Sequence, residues 1–121
     1  MIFETSNSLD IPTDQDLFTF FYDTSYARSR FASFVDGRTG ETYQYPELRS
    51  RAEYISSALL REYGLTPGGR VCLLGNNSHK YPAAVWSVLR SGLTAVGVNQ
   101  SYNHDELVFA LRTAQVQCRS Y

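Results

Sequence analysis

Residues able to do acid–base, nucleophilic or metal chemistry are few in this chain: two histidines, two cysteines, a single lysine (Lys80) and scattered carboxylates. His104 stands beside Asp105, the composition of an acid–base pair. Neighbours along a helix point in different directions, so the dyad geometry is poor. His79 is expected to have no acidic or thiol partner nearby. Asp36 and Glu41 fall at the edges of an Asp-Gly-Arg-Thr-Gly turn, where such side chains serve local hydrogen bonding. Cys72 lies inside an apolar run and reads as a small reduced core residue. Cys118 is distant from it, and no Cys-x-x-Cys pair points to a metal or a redox dithiol. A strand ending in Gly75-Asn76-Asn77-Ser78 before a helix raises the question of a phosphate cradle, since backbone amides there attract anions. Neither Gly-x-Gly-x-x-Gly nor Gly-x-x-x-x-Gly-Lys-Ser/Thr is present, so a structural turn with an Asn or Ser cap is the better reading. The expectation is therefore no catalytic, cofactor-binding or metal-ligating residue in this chain.

The elements that would position such residues centre on the stretch from Gly64 to Asn99. Val71-Cys-Leu-Leu and Thr94-Ala-Val-Gly-Val are short apolar runs free of charge and bounded by Gly or Asn, the pattern of strands buried in a parallel sheet. Between them Tyr81, Val85, Val88 and Leu89 recur at helical spacing up to Gly92. Pro82 must sit in the first turn, which starts this helix between Ser78 and Pro82. Strand, crossover helix, strand is the reading.

Upstream, the residues to Pro12 look extended. Thr13 and Asp16 have capping-box spacing before an amphipathic helix carrying Leu17, Phe18 and Phe21, whose aromatics are expected to pack on the sheet. Phe31 to Val35 and Glu41 to Tyr45 read as a hairpin. Pro46 suits a first helical position, and Leu48, Ala52, Ile55, Leu59 and Tyr63 mark one buried face of a helix that Gly64 stops. Asn103 and Glu106 again have capping-box spacing, before Leu107, Ala110, Leu111 and Ala114. Past Gln115, where a further apolar strand would be expected, the chain reads Val-Gln-Cys-Arg-Ser-Tyr, a less apolar run. The fold class is α/β, with a mostly parallel sheet of three or more strands, crossover helices and an N-terminal hairpin. Successive right-handed crossovers stack helices on one face. The other face must be covered by the helix from Pro46, by the aromatic helix, or by something else.

A chain of 121 residues allows one domain, and 43% hydrophobic with 19% charged residues is an ordinary globular balance. A net charge of -1 leaves no footprint for nucleic acid. The start lacks the basic segment and apolar run of a secretory signal. Leu17 to Tyr22 falls far short of the roughly 20 residues of a membrane span. The cytosol is the default compartment.

In order, Tyr43-Gln-Tyr-Pro-Glu-Leu, Ala52 to Leu60, Gly64-Leu-Thr-Pro-Gly-Gly-Arg-Val, Asn77-Ser-His-Lys-Tyr, Leu89-Arg-Ser-Gly and Val98-Asn-Gln-Ser-Tyr-Asn-His-Asp-Glu-Leu resemble the N-terminal portion of acyl-CoA ligases. These belong to the adenylate-forming (AMP-binding) superfamily, and the branch most resembled is the 4-coumarate CoA ligase-like group. The resemblance runs from about the first helix to Ala114. It implies a family that activates a carboxylic acid with ATP to an acyl-adenylate and passes the acyl group to coenzyme A. It also implies that the phosphate-binding loop, the adenine and ribose contacts and the catalytic lysine lie downstream, so residues 1–121 form a partial AMP-binding domain, truncated before the phosphate-binding loop. ATP, Mg and CoA are then cofactors of the full-length family and not of this chain. What carries over is framework: Tyr45, Gly64, Gly68, Asn77, Gly92 and Asn99. Gly69 replaces the family's usual Asp, and Gln100 its usual Pro. The expected function is that of a ligase fragment, catalytically silent alone. The alternative is a non-catalytic interaction protein that docks on another chain through an incomplete sheet. A small nucleotide-binding domain using Gly75 to Ser78 ranks last. A peroxisomal address stays open for a full-length relative.

Overall fold

The computed structural model describes residues 12–23 and 33–116. In chain order it contains α1 (Leu17–Asp23), β1 (Ser33–Val35), β2 (Thr42–Gln44), α2 (Tyr45–Arg61), β3 (Arg70–Leu74), α3 (Tyr81–Arg90), β4 (Thr94–Val98) and α4 (His104–Thr113). β1 and β2 pair antiparallel, with Phe34 opposite Tyr43. β3 and β4 pair parallel, with Cys72 opposite Val96, and α3 as their crossover. The fold is α/β, as the apolar runs require. Among the described residues the parallel sheet has two strands instead of three or more, and residues 117–121 lie outside them. The expected extended opening, residues 1–11, lies outside them too.

Termini of the helices follow their local chemistry. α2 carries Pro46 in its first turn. α4 begins with a complete capping box, in which Asn103 accepts from the Glu106 N–H at 3.0 Å and Glu106 accepts from the Asn103 N–H at 2.9 Å. α1 departs from the reading above: Asp16 is the cap itself, accepting from the Thr19 N–H at 2.9 Å and the Thr19 hydroxyl at 2.7 Å. The spacing misled because the cap partner is Thr19, three residues beyond Asp16 and not before it. After α3, Gly92 turns the chain at φ +68, a conformation in which a side chain is strained, and a Cβ there would come within 3.3 Å of Pro67.

The buried centre is aromatic. Phe18, Tyr22 and Ala52 are buried, and Phe21, Tyr45 and Trp86 pack against them. Phe21 stacks on Trp86 with centroids 4.6 Å apart, and Phe18 meets the same indole edge-on at 6.1 Å. The aromatics of α1 thus pack on helices α2 and α3, not on the sheet, because Ala52 leaves the room and Trp86 the flat face. Burial pushes the Tyr22 phenol above the usual tyrosine range, and its hydroxyl has no hydrogen-bond partner among the described residues. The buried positions of α2 are Leu48, Ala52 and Ser56, while Tyr63 falls beyond the helix and is half exposed. Helices α1 and α2 pack on α3, which in turn packs on the parallel strands β3 and β4. The two parallel strands therefore stay half-buried, with Leu74 52% exposed and only Val98 in the core.

Candidate functional site

The chemistry-bearing residues gather where the β1–β2 turn meets the loop between β3 and α3. Asp36 leaves β1 and folds its side chain back on the turn, Oδ1 accepting from the N–H of Arg38 at 2.9 Å and of Thr39 at 3.1 Å. This is the local bonding expected of an Asp at a turn edge. Its other oxygen, Oδ2, faces His79 Nδ1 at 3.3 Å, although the two residues are 43 positions apart in sequence. Glu41 Oε2 stands 3.6 Å from the same nitrogen. The Tyr43 ring meets the imidazole edge-on at 4.5 Å. The His79 side chain is 7% exposed and that of Asp36 10%, against 65% for Glu41.

His79 therefore does have acidic partners, which corrects the sequence reading. The missed signal was long-range: a hairpin turn rich in acids has to land somewhere, and the α2 helix that follows directly from β2 brings it over the start of α3. Ser78 accepts at Oγ from the Lys80 N–H at 3.3 Å and at its carbonyl from the Tyr81 N–H at 3.0 Å. The residue at the cap of α3 is Lys80, without a side-chain cap bond, so the expected Asn or Ser cap is replaced by this turn.

Electrostatically, the Arg38 and Thr39 amides, followed by the imidazole, hold the Asp36 carboxyl down at about 2, below its ordinary 3.8. A carboxyl depressed in the folded state contributes stability that is present above its unfolded value and disappears as pH falls through its folded value. The hairpin clamp is accordingly expected to weaken between pH 4 and pH 2. The Asp36→Asn variant should lose stability less steeply than the parent over that window. Urea midpoints measured from pH 6 to pH 2 check this, and parallel curves would sink it.

Asp36, Gly37 and Arg38 also form one wall of an open groove of ≈ 830 Å³. Its other wall comes from the carboxyl ends of the parallel strands, with Asn76, Asn77 and Tyr81 after β3 and Asn99 and Gln100 after β4. Such strand ends are where open α/β sheets take ligands. The groove offers carboxamides, a phenol and one guanidinium, with the Asp36 carboxylate already engaged. An imidazole held by a carboxylate is half of a general-base device. The pair fastens the hairpin to the loop before α3, across 43 positions of sequence. His104 Nδ1 does reach Asp105 Oδ1 at 3.2 Å, but the two side chains are 87% and 99% exposed, where water competes for both. Cys72 is half-buried in β3, and Cys118 lies outside the described residues. Among the described residues no group of three or more His, Cys, Asp or Glu side chains is arranged to hold a metal ion, and no helix is long and apolar enough to cross a membrane.

A family model described as "AMP-binding enzyme" matches residues 22–119. The phenylacetyl-CoA ligase epaB of Aspergillus niger is 28% identical over 118 residues, 97% of this chain and 22% of that protein. A long-chain-fatty-acid–CoA ligase of Salmonella typhimurium is 34% identical over 85 residues, 68% of this chain and 15% of the relative. Among solved structures, apo MatB from Rhodopseudomonas palustris superposes with a TM-score of 0.72 at 23% identity, over 84% of this chain and 20% of that one. The Klebsiella oxytoca NpsA N-terminal subdomain does so at 0.72 and 16% identity, over 84% of this chain and 26% of its own. The chain thus spans about a fifth of the length of the first of these relatives.

Proposed function

This chain belongs to the AMP-binding enzyme family, and from that premise we propose that it is the amino-terminal framework of an acid–CoA ligase. The reaction proposed for the whole protein is ATP-dependent conversion of a carboxylic acid to its acyl-adenylate, then to the acyl-CoA, with the 4-coumarate CoA ligase-like group as the branch and the cytosol as the compartment. The observation that carries the reading is the family match over residues 22–119, a span that takes in α2 to α4 and the turns between them. Tyr45 opens α2, Gly64 follows its end, Asn77 follows β3, Gly92 ends the α3 turn and Asn99 follows β4.

Does the strand-end groove suit ATP and its Mg²⁺? Phosphoryl chemistry asks for several cationic or amide donors around three phosphates and carboxylates free to hold the metal. The groove presents Arg38 and carboxamides, its one carboxylate, Asp36, is taken by its own turn and by His79, and Lys80 does not line it. The residues of this groove do not fit the nucleotide. Asp36, His79 and the groove amides act here as framework. The 121-residue polypeptide is expected to give no ATP–pyrophosphate exchange with any carboxylic acid.

A chimera tests the ligase reading directly. Exchanging the matched segment of the Aspergillus niger phenylacetyl-CoA ligase for this chain should preserve pyrophosphate exchange and thioester formation. A folded chimera without either would count against it.

One observation favours a second reading, docking on another chain. α4 buries no residue, Phe109 on it is 70% exposed, and β3 and β4 are themselves half-buried. A monodisperse monomer in light scattering that binds no hydrophobic dye would speak against this.

A further inference from the structure

A second groove, of ≈ 630 Å³, lies along α2 and the start of α3, away from the strand ends. This is within the size range of small-molecule sites, about 300–1,000 Å³, and its lining is mostly apolar, as those sites require. We propose that it binds an amphipathic anion: a flat or linear apolar body with one negative head, the head at Lys80. The proposal does not depend on the ligase reading.

The body of such a ligand is specified by Ile55 and Ala83 along the groove and by Tyr54, a large aromatic left 77% exposed. Tyr43 supplies a wall that is already fixed, because the Arg51 guanidinium covers its ring at 4.4 Å and His79 meets it at 4.5 Å. A wall held before binding costs little ordering on binding. The head follows from the charges. Arg51 bonds Glu47 through Nη2 at 3.1 Å and Nε at 3.3 Å, so these two largely cancel. Lys80 has neither an ion pair nor a side-chain hydrogen bond among the described residues, its recorded bond being from its backbone N–H to Ser78. It is the only lysine of the chain, and it lines the groove beside Ala83. The uncompensated charge of this apolar groove is therefore a single ammonium, which selects an anion over a cation or a neutral molecule.

The probe is 2-naphthalenesulfonate, titrated into ¹⁵N-labelled polypeptide, with 2-naphthylmethylammonium as the molecule of equal body and opposite charge. Amide shifts are expected at Arg51–Ile55 and Lys80–Ala83, with clear preference for the sulfonate. Lys80→Gln should weaken the sulfonate roughly five-fold, the scale of one exposed ion pair. Tyr54→Ser, at an exposed position that leaves the fold intact, should weaken both probes. Equal affinity for the two probes, indifference to Lys80→Gln in a variant whose spectrum is otherwise unchanged, or shifts confined to the strand-end groove would each overturn the proposal.

Discussion

Leu48→Ala is expected to destabilise the chain by about 3 kcal/mol, a large part of what a domain of this size has to lose. Leu48 is 0% exposed and sits in the first turns of α2, the helix that links the hairpin to the rest of the fold. Truncating it removes apolar area from the core and leaves a void, because helix backbones collapse only partly around a deleted side chain. The midpoint of thermal unfolding should drop by roughly 10 °C. The same truncation at Tyr54, one further side of the same helix and 77% exposed, should change stability by less than about 0.5 kcal/mol. Trp86, the one tryptophan, lies against the aromatic cluster and reports both transitions by its fluorescence. Equal effects at Leu48 and Tyr54 would mean that α2 does not present this face to the core.

Most of this fold was legible because short-range signals agreed with one another. The apolar runs at Val71 and Thr94 became β3 and β4, and the pair Asn103 and Glu106 closed both halves of its capping box. The stop at Gly92 followed from its backbone conformation. Legibility failed where the deciding neighbour was distant in sequence. Apolar spacing nominated Ile55 and Leu59 for the buried face of α2, yet the buried positions run Leu48, Ala52, Ser56. A serine enters that face because another serine, Ser91, waits just past the end of the neighbouring helix. His79 looked solitary for the same reason: its carboxylate partners arrive on a hairpin more than thirty residues upstream. Framework residues of the family announce themselves through turn chemistry. Side-chain pairs between distant elements leave no such mark, and the strand-end groove was legible only along the edge that the strands themselves build.

The strongest consequence of the serine contact concerns how closely α2 and α3 approach. Buried positions on these helices are mostly small: Ala52 and Ser56 on α2, Ala83 and Ser87 on α3, with Ser91 just beyond. Ser91 Oγ lies 2.8 Å from Ser56 Oγ and 2.7 Å from the Ser87 carbonyl. One hydroxyl proton serves one acceptor. With Ser91 donating to the carbonyl, Ser56 donates to Ser91. Ser56→Ala then removes a donor whose acceptor has other work, and should cost less than about 1 kcal/mol. Ser91→Ala removes the acceptor and strands the buried Ser56 proton, for about 1–2 kcal/mol, unless that hydroxyl turns back to its own helix. Ser56→Leu is different in kind: the added carbons have nowhere to go between two close helices, and should cost about 3 kcal/mol. The order of urea midpoints, Ser56→Ala above Ser91→Ala above Ser56→Leu, tests the spacing and the bond direction together. A Ser56→Leu variant as stable as the parent would show that the two helices leave room between them, and the close α2–α3 contact that holds Trp86 against the aromatic cluster would have to be abandoned.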